Sequence, residues 1–460
     1  MNPVSRHSPG KSSAINQGLD RRALLCMAGV GGLAALYANV ARAFAASATK
    51  PQRAKSVILI FNCGAPSHLD LWDPKPDAPE AIRGKYRTIS TAVPGMQFSE
   101  MLPRMAQRAG KLAVIRSVHH THSSHNSGMY WSIVGRPYQI DNTLINPSRA
   151  DVPCFGTLTN WLAQRDGYSG AVPPYVITPR PHCDSLVYLT PGQFGSCLGP
   201  RFDPLVLNAD PNAEDFEVPN LRLGPELSGM RFNRRRDLLN ELERRGSRIE
   251  TSLAGDLDVN RAKAFEMVLS GEAQQAFDLS RESTATRERY GRHTWGQSHL
   301  LARRLVEAGS RFVTTVNGPS IIWDTHKDHY RRMENVLVPP MEQAYAALLD
   351  DLDERGLLDS TLVAWMGDFG RTPKFNADGG RDHWPNCYTM VLAGGGLKGG
   401  QVIGRSDKIG GEPSERPIRP ADVHATIFAA LGYDCKSISY QLADGRPAML
   451  SDGDVIRELL

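Results

Sequence analysis

From residue 54 onwards, short apolar runs rich in valine, isoleucine and leucine alternate with segments of helical periodicity. The runs that predict strands are 56–61, 111–118, 175–178, 311–316, 361–366 and 388–392. The segments that predict helices are 231–308, 333–355 and 420–431. A run that is apolar at every position is typical of a strand buried on both faces of a parallel sheet. The order of elements therefore predicts an α/β fold, a three-layer α/β/α sandwich with a mostly parallel central sheet.

One stretch between the second predicted strand and the helical segment has a different composition. Residues 139–230 are rich in proline, glycine, asparagine and aspartate, which is typical of long loops. Residues 234–250 are heavily charged, which indicates a solvated helix face. No internal repeat divides the chain. We therefore expect a single domain over 50–455, with a loop-rich and helical insertion at about 139–308.

The first 46 residues have the pattern of an export signal. Arg21 and Arg22 precede a weakly apolar run at 26–40, and small residues such as Ala41 and Ala43 follow it. Paired arginines ahead of a glycine- and alanine-rich run are typical of the twin-arginine route. The run is too short and too rich in glycine for an ordinary membrane span. We expect a periplasmic or extracellular protein that meets the membrane only through this signal; retention by an uncleaved signal is the alternative.

The formal charge divides in the same way. The chain has 53 Lys+Arg and 49 Asp+Glu, a net charge of +4. Residues 1–46 hold five basic residues and one acidic residue, so the remainder carries 48 of each. A neutral folded part offers no bulk electrostatic attraction for nucleic acid, so we expect no nucleic-acid partner.

Six cysteines follow Cys26, an even number that permits disulfides without indicating their pairing.

Histidines and acidic residues concentrate beside the ends of the predicted strands, where eight of the 13 histidines lie. The candidates are His68, Asp70 and Asp73; His119, His120, His122 and His125; Asp324, His326, Asp328 and His329; Asp368 and Arg371; and Arg381, Asp382 and His383. In open α/β sheets, ligands bind beyond the carboxyl ends of the strands. Converging imidazoles and carboxylates are what a hydrolytic site with a divalent metal requires.

Some of these candidates have a structural alternative. Asp70 is as well suited to capping a turn or helix as to binding a metal. His119 and His120 continue directly from a strand, so we expect one of them to be buried and hydrogen-bonded. His122 and His125 lie further along and are the better site candidates.

The later candidates differ in the same respect. Asp324 and His326 are separated by one residue, which places both side chains on one side of an extended loop and suits a metal. Asp368 lies at a strand end, where a helix cap is the main alternative. We expect the imidazole of His383 to be held by a carboxylate, with Asp382 as its neighbour, because ligating imidazoles commonly are.

Four segments resemble the 1501 family of domains of unknown function. They are 67–76 (SHLDLWDPKP), 367–373 (GDFGRTP), 380–385 (GRDHWP) and 392–404 (LAGGGLKGGQVIG). This family consists of exported bacterial proteins, abundant in planctomycetes, within the alkaline phosphatase/sulfatase-like superfamily. The resemblance covers roughly residues 50–450 and implies an alkaline phosphatase-like fold.

The resemblance also implies roles for single residues. Four positions are similar to metal ligands of the superfamily: Asp324, His326, Asp368 and His383. The segment 125–136 resembles the helix that carries the nucleophile and places His125 where the nucleophile would stand. Histidine acts either as a nucleophile or as a metal ligand, and both roles stay open, with Ser124 and Ser127 as alternative nucleophiles.

Three positions depart from the superfamily's pattern. Cys63 stands where the first strand would end in a metal-binding aspartate, so Asp70 or His68 is expected to substitute. Phe369 replaces the histidine or asparagine expected there, and His125 replaces the usual serine, threonine or cysteine. The formylglycine mechanism of sulfatases is therefore not expected.

We therefore expect an exported, metal-dependent hydrolase of sulfate or phosphate esters, acting on a small-molecule or polysaccharide substrate. The divalent metal would be zinc, calcium, magnesium or manganese, held by Asp70, Asp324, His326, Asp368 and His383. His125 would be catalytic, with Arg136 or Arg371 stabilising the anionic transition state. The alternative is a non-catalytic extracytoplasmic binding protein that keeps the fold without full metal-site function, which Cys63 and Phe369 favour.

Overall fold

The central sheet contains all the predicted strands and two shorter ones. The computed structural model describes residues 54–185, 187–218 and 262–460, together with isolated positions between 221 and 241. The strands are β1 (Ser56–Asn62), β2 (Leu112–Val118), β3 (Tyr175–Thr178), β4 (Leu205–Val206), β5 (Phe312–Asn317), β6 (Thr361–Gly367), β7 (Tyr388–Gly394) and β8 (Gln401–Ile403). Their order across the sheet is β8-β2-β7-β6-β1-β5-β3-β4. Only β7 runs antiparallel to its neighbours, so the predicted mostly parallel sheet is confirmed.

Helices and short ribbons surround this sheet. The helices are α1 (Glu80–Arg83), α2 (Pro103–Gln107), α3 (His125–Val134), α4 (Phe155–Arg165), α5 (Gly271–Phe277), α6 (Thr284–Tyr290), α7 (Thr294–Glu307), α8 (His329–Arg332), α9 (Val338–Glu354) and α10 (Pro420–Ala430). A π-helical turn, Met333–Leu337, leads into α9. Two-stranded ribbons pair Thr88–Ser90 with Gln97–Ser99, Cys183–Asp184 with Tyr188–Leu189, Gly370–Arg371 with His383–Trp384, Arg405–Ser406 with Pro413–Glu415, and Ser439–Gln441 with Pro447–Met449.

The side chains of β1 show why the sheet is covered on both faces. Ile58 and Ile60 pack into one hydrophobic cluster, which includes residues of α7 and α9. Leu59 and Phe61, which point to the opposite face, pack into a second cluster with residues of α3, α4 and α10. Burial of each such side chain stabilises the fold by about 1.5–3 kcal/mol, so an uninterrupted apolar run requires helices on both sides. The predicted three-layer arrangement is confirmed.

The segment expected as an insertion contributes directly to the sandwich. Strand β3 pairs in parallel with β5, and β4 pairs with β3. Helix α7, at the end of the same segment, packs against β5 and α9. Short strands between loops rich in proline and glycine leave only a weak pattern in the sequence, which is why the sequence predicts an insertion at 139–308 rather than strands of the central sheet. Residues Gln52–Leu460 form one compact unit.

Two expectations concern residues beyond this description. The export signal at 1–46 lies outside the described residues, as does most of the charged segment 234–250. Within the described ranges, none of the helices combines the length and apolar character that a bilayer span requires. Among the described residues, no disulfide joins the cysteines from Cys63 to Cys435.

A buried network of charges joins α7 to α9. The side chain of Arg303 on α7 is 1% exposed and forms ion pairs with Glu282 at 2.7 Å and with Asp351 at 2.9 Å. Asp351, on α9, also accepts hydrogen bonds from Tyr290 at 2.8 Å and from Arg355 at 2.7 Å. Removing the guanidinium would leave two carboxylates with too few partners.

We predict that Arg303→Ala lowers the free energy of unfolding by about 3–5 kcal/mol, because Glu282 and Asp351 each lose one of their two cationic partners at a buried position. Urea-induced unfolding measures the change. The matched control is Arg405→Ala, which removes an exposed pair with Glu415 and should cost about 0–1 kcal/mol. Equal effects of the two substitutions would contradict the structural role of Arg303.

Candidate metal centre

The candidate site lies at the carboxyl ends of the central strands. Helix α3 begins at His125, after the loop that follows β2. Asp324 and His326 come from the loop after β5, and His383 comes from the ribbon that follows β6. The sheet topology brings these loops to one edge, as the strand-end pattern of the sequence predicts. We call His125, Asp324, His326 and His383 the His₃Asp cluster.

Each imidazole of the cluster has its Nδ1 atom fixed by an oxygen. Nδ1 of His125 lies 2.7 Å from Oδ2 of Asp368, and Nδ1 of His326 lies 2.6 Å from Oδ1 of Asp382. Nδ1 of His383 lies 2.6 Å from the backbone carbonyl oxygen of Ser123. Because carboxylate and carbonyl oxygens only accept hydrogen bonds, each Nδ1 carries the proton.

The Nε2 atoms then present lone pairs, and they converge on Asp324. Oδ1 of Asp324 lies 3.1 Å from Nε2 of His326 and 3.3 Å from Nε2 of His383. These two nitrogens are 3.0 Å apart. Nε2 of His125 lies 3.5 Å from Oδ2 of Asp324 and has no hydrogen-bond partner among the described residues. His125, Asp324 and His383 offer ligand atoms that all lie within 4.8 Å of one another.

Exposure shows from which side the His₃Asp cluster is reached. The side chain of His125 is 4% exposed, whereas that of His326 is 43% exposed. His383 and Asp324 lie between these extremes, at 24% and 19%. Solvent and solutes therefore reach the cluster from the His326 side, and His125 forms its floor.

The charges of the cluster shift its pKa values. Burial raises the pKa of Asp324, but His125, His383 and Arg371 outweigh it and hold that pKa well below its usual value. Burial lowers the pKa of His125, but the carboxylates of Asp324 and Asp368 outweigh it and raise that pKa above its usual value. Burial lowers the pKa of His383, which Asp324 offsets only in part. Asp324 is therefore a permanent carboxylate at the centre of the imidazoles.

Asp368 contacts the His₃Asp cluster through His125, on the buried side of that ring. Its carboxylate holds Nδ1 of His125 and accepts a hydrogen bond from the backbone N–H of Gly64 at 3.0 Å. No helix follows it, since Gly370 begins a ribbon strand, so the helix-cap alternative does not apply. A carboxylate behind an imidazole fixes its orientation and raises its basicity.

Arg371 is buried beside Asp324 with all of its N–H groups facing oxygen atoms. It lies 2.7 Å from Oδ1 of Asp324 and donates to the carbonyl of Ala65 at 2.8 Å. Its remaining donors face the carbonyls of Gly64, Trp323 and Arg381. Arg371 therefore holds Asp324 and the surrounding turns in place and has no donor directed at the open side.

The structure does not bring Arg136 to the cluster. It follows the carboxyl end of α3, and its guanidinium donates to the carbonyl of Met449 at 3.2 Å. The ten residues of α3 lie between it and the start of the helix at His125, a length of roughly 15 Å at 1.5 Å of rise per residue. His125 and Arg136 therefore lie at opposite ends of the same helix, and Arg136 does not take the catalytic role expected from the sequence.

Asp70 likewise lies away from the cluster, in a buried network of its own. Its Oδ2 atom lies 2.7 Å from Nε of Arg381 and 3.0 Å from Nε2 of His329. Ser67 donates to the same oxygen at 2.5 Å. Burial raises the pKa of Asp70, but Arg381 and His329 outweigh it and hold that pKa well below its usual value. Its oxygens are engaged by protein donors.

This network supports the cluster from behind. His329 bonds through Nδ1 to the hydroxyl of Thr325 at 2.8 Å, and Thr325 stands between Asp324 and His326 in the chain. The carbonyl of Thr325 also accepts a hydrogen bond from the N–H of Arg381 at 3.1 Å. Asp70 thus links the two loops that carry three of the four cluster residues.

Two partners of the imidazoles were not found by sequence reasoning. The adjacency of Asp382 and His383 suggested that they bond, but Asp382 holds His326 instead. Neighbouring residues of an extended ribbon point to opposite sides, which is the signal that argues against such a pair. The carbonyl of Ser123, which holds His383, leaves no trace in the sequence because every residue has one.

Phe369 provides an apolar wall for the cluster. Its ring stacks on that of His125 with centroids 5.2 Å apart and lies 4.9 Å from that of His383. A Cβ atom at Gly128 would meet the ring of Phe369 at 2.6 Å, so only glycine fits there on α3.

His120 is buried with Nε2 bonded to the carbonyl of Asp368 at 2.8 Å, and burial lowers its pKa to about 4. One of the paired histidines is thus structural, as expected.

We predict that Asp70→Asn lowers the free energy of unfolding by about 3–5 kcal/mol even in excess chelator, because Arg381 loses its buried counter-charge. Denaturant unfolding of the metal-free protein measures the loss. Asp77→Asn, which alters an exposed carboxylate nearby, is the control and should change little. A loss that appears only in metal-loaded protein would instead identify Asp70 as a ligand.

The chain is similar to solved structures at low sequence identity. No curated protein matches it in sequence. Among solved structures it is similar to a sulfatase from Pseudoalteromonas sp., at 11% identity and a TM-score of 0.38 over 90% of this chain and 76% of that chain. It is also similar to a phosphonate monoester hydrolase from Silicibacter pomeroyi, at 12% identity and a TM-score of 0.36 over 88% and 76%. An alkaline phosphatase from the Antarctic bacterium TAB5 gives 12% identity and a TM-score of 0.35 over 83% and 99%.

The family follows from the sequence match. Residues 54–460 match the model described as "Protein of unknown function (DUF1501)". This range contains the four segments on which the resemblance was based and all residues of the His₃Asp cluster. The chain therefore belongs to the DUF1501 family of proteins of unknown function.

Proposed function

We propose that the His₃Asp cluster binds a divalent metal ion and that the protein hydrolyses sulfate or phosphate esters. The observation that carries the metal is the pair of Nε2 atoms of His326 and His383, which lie 3.0 Å apart. Both nitrogens present lone pairs, because both Nδ1 atoms bond to acceptors. Two lone pairs at this distance repel each other, so either a metal ion or a proton shared in an N–H···N hydrogen bond holds the two nitrogens together, and the metal-binding experiment below separates the two.

The spacing of the donor atoms suits such an ion. Oδ1 of Asp324 and the Nε2 atoms of His326 and His383 form a triangle with sides of 3.0, 3.1 and 3.3 Å. Tetrahedral ligands with bonds of about 2.0–2.1 Å stand roughly 3.3 Å apart. Three protein ligands and one open position are typical of catalytic rather than structural zinc sites.

The donor set favours one group of metals. Imidazole nitrogens suit zinc and other late transition metals, whereas calcium and magnesium require mainly oxygen ligands. The cluster offers two or three imidazoles and one carboxylate, so we propose zinc or a chemically similar ion. Such an ion supplies Lewis acidity to an ester oxygen and activates the attacking group.

His125 and Asp368 then form a proton-transfer pair on the floor of the cluster. Asp368 keeps the proton of His125 on Nδ1, so the unpartnered Nε2 accepts a proton from the attacking group. His125 is also the first residue of α3, where free backbone N–H groups and the helix dipole favour an anionic group. An anionic ester beside His125 is therefore the substrate class that the site supports best.

In the alternative, a non-catalytic binding protein, His125 and Asp368 would transfer no proton. This alternative predicts metal or anion binding without turnover, because an oriented imidazole then serves only as a contact. Since Nε2 of His125 forms no hydrogen bond in the described structure and Asp368 orients the ring through Nδ1, the hydrolase is the better supported of the two.

We predict that the purified chain binds about one zinc ion and that Asp324→Ala and His383→Ala each lose it, because each removes a ligand. Isothermal titration after removal of bound metal measures the affinity. His119→Ala is the matched control, since this imidazole lies outside the cluster, on the loop between β2 and α3. No binding by the unaltered chain would exclude the metal centre.

We predict that Asp368→Asn retains the metal but lowers kcat by about 10²–10⁴-fold on aryl sulfate or aryl phosphate esters, because His125 loses its oriented Nδ1 proton. His125→Gln should give a similar loss. Turnover is measured with stoichiometric zinc. Retained metal without turnover of any ester by the unaltered chain would support the binding protein instead.

A further inference from the structure

A carboxylate outside the cluster holds the start of helix α3. Asp141 lies in the loop after this helix, and its Oδ1 atom accepts hydrogen bonds from the N–H of Ser124 at 2.9 Å and from the hydroxyl of Ser127 at 2.6 Å. Its Oδ2 atom accepts from the N–H and hydroxyl of Ser123 at 2.9 and 3.1 Å. Four donors from one turn thus converge on a single side chain.

The carboxylate of Asp141 holds the turn that leads into helix α3. Ser124 is the N-cap residue, and its side chain makes no capping hydrogen bond. Asp141 accepts from the N–H groups of Ser123 and Ser124, which precede the helix, and from the hydroxyl of Ser127 in its first turn. An anion at this end also interacts favourably with the helix dipole.

The loop that carries Asp141 is itself anchored beside the cluster. The side-chain amide of Asn126, the residue after His125, donates to the carbonyls of Thr143 and Ile145 at 3.1 and 2.9 Å. Burial raises the pKa of Asp141, but bonds from Ser127, Ser123 and Ser124 outweigh it and lower that pKa to about 2. Asp141 is therefore an ionised carboxylate at neutral pH.

Two imidazoles of the cluster are attached to the turn that Asp141 fixes. His125 follows Ser124 directly, so the backbone at Ser124 sets where the Cα atom of His125 lies, while Asp368 orients its ring. The carbonyl of Ser123 accepts the hydrogen bond from Nδ1 of His383 at 2.6 Å. Asp141 therefore holds the backbone to which both imidazoles are attached, although it touches neither ring.

We propose that Asp141 is a positioning residue of the metal centre, which sets the separation of His125 and His383 through the backbone of Ser123 and Ser124. This inference rests on the proposed metal function for its effect on affinity. Its effect on the two imidazoles does not require a metal.

The experiment compares Asp141→Ala and Asp141→Asn with the control Asp422→Asn. Asp422 caps α10 in a similar way, accepting from the N–H of Arg419 and of Asp454 at 2.8 Å each, and has no bond to the cluster. Three measurements are made on each variant: thermal unfolding, zinc affinity by competition with a chelator, and ¹⁵N–¹H spectra of histidine-labelled, metal-free protein.

We expect Asp141→Ala to weaken zinc binding by roughly 10-fold, the lower end of the range for removal of a direct outer partner of a metal ligand, because Asp141 acts through Ser123 and Ser124. Asp141→Asn, which keeps one acceptor oxygen, should lie between Asp141→Ala and the unaltered chain. The imidazole resonances of His125 and His383 should shift while that of His299, which is buried on α7, stays in place. Asp422→Asn should lower the unfolding temperature and leave the affinity and the cluster resonances unchanged.

Unchanged resonances of His125 and His383 in both Asp141 variants would overturn the proposal. So would an equal loss of affinity in Asp422→Asn, which would show a general effect of capping. If the unaltered chain binds no zinc, the proposed function fails, and the spectra of the metal-free variants still decide the role of Asp141. If Asp141→Ala does not fold, Asp141→Asn decides it in the same way.

Discussion

The buried contact between Arg371 and Asp324 organises the carboxyl edge of the sheet. One guanidinium bonds to the central carboxylate of the cluster and to carbonyls of the turn after β1, of the loop after β5 and of the ribbon after β6. A guanidinium removed from water requires an acceptor for each N–H, so these three segments must approach it together. Asp324 is held in place by this requirement, and the imidazoles are arranged around it.

A second constraint acts on the imidazoles. Each Nδ1 atom is assigned to an oxygen from a different part of the chain: Asp368 after β6, Asp382 in the ribbon, and the backbone of Ser123 before α3. The three Nε2 atoms consequently face inwards with lone pairs. The same arrangement serves a metal ligand and a general base, because both need an oriented, unprotonated nitrogen. His326 and His383 lie near one oxygen of Asp324, and His125 lies near the other.

The strand-end pattern identified much of this site. Asp324, His326 and His383 were expected from the sequence and do lie together, because parallel strands deliver their following loops to one edge. Asp70 also follows a strand, yet it is turned away and bonded to Arg381 and His329. The pattern gives the edge on which a residue lies and not the direction of its side chain, which depends on the donors that fold against it.

The sequence by itself determined the layered α/β fold and the strand edge at which the His₃Asp cluster lies, since both depend on local periodicity and on chain order. Tertiary structure alone decided which acceptor holds each imidazole, that Asp382 bonds to His326 rather than to its neighbour His383, and that Asp141 holds the turn before α3 from a later loop. These are contacts between segments whose relative placement follows from packing. The spacing of residues along the chain therefore contains no record of them.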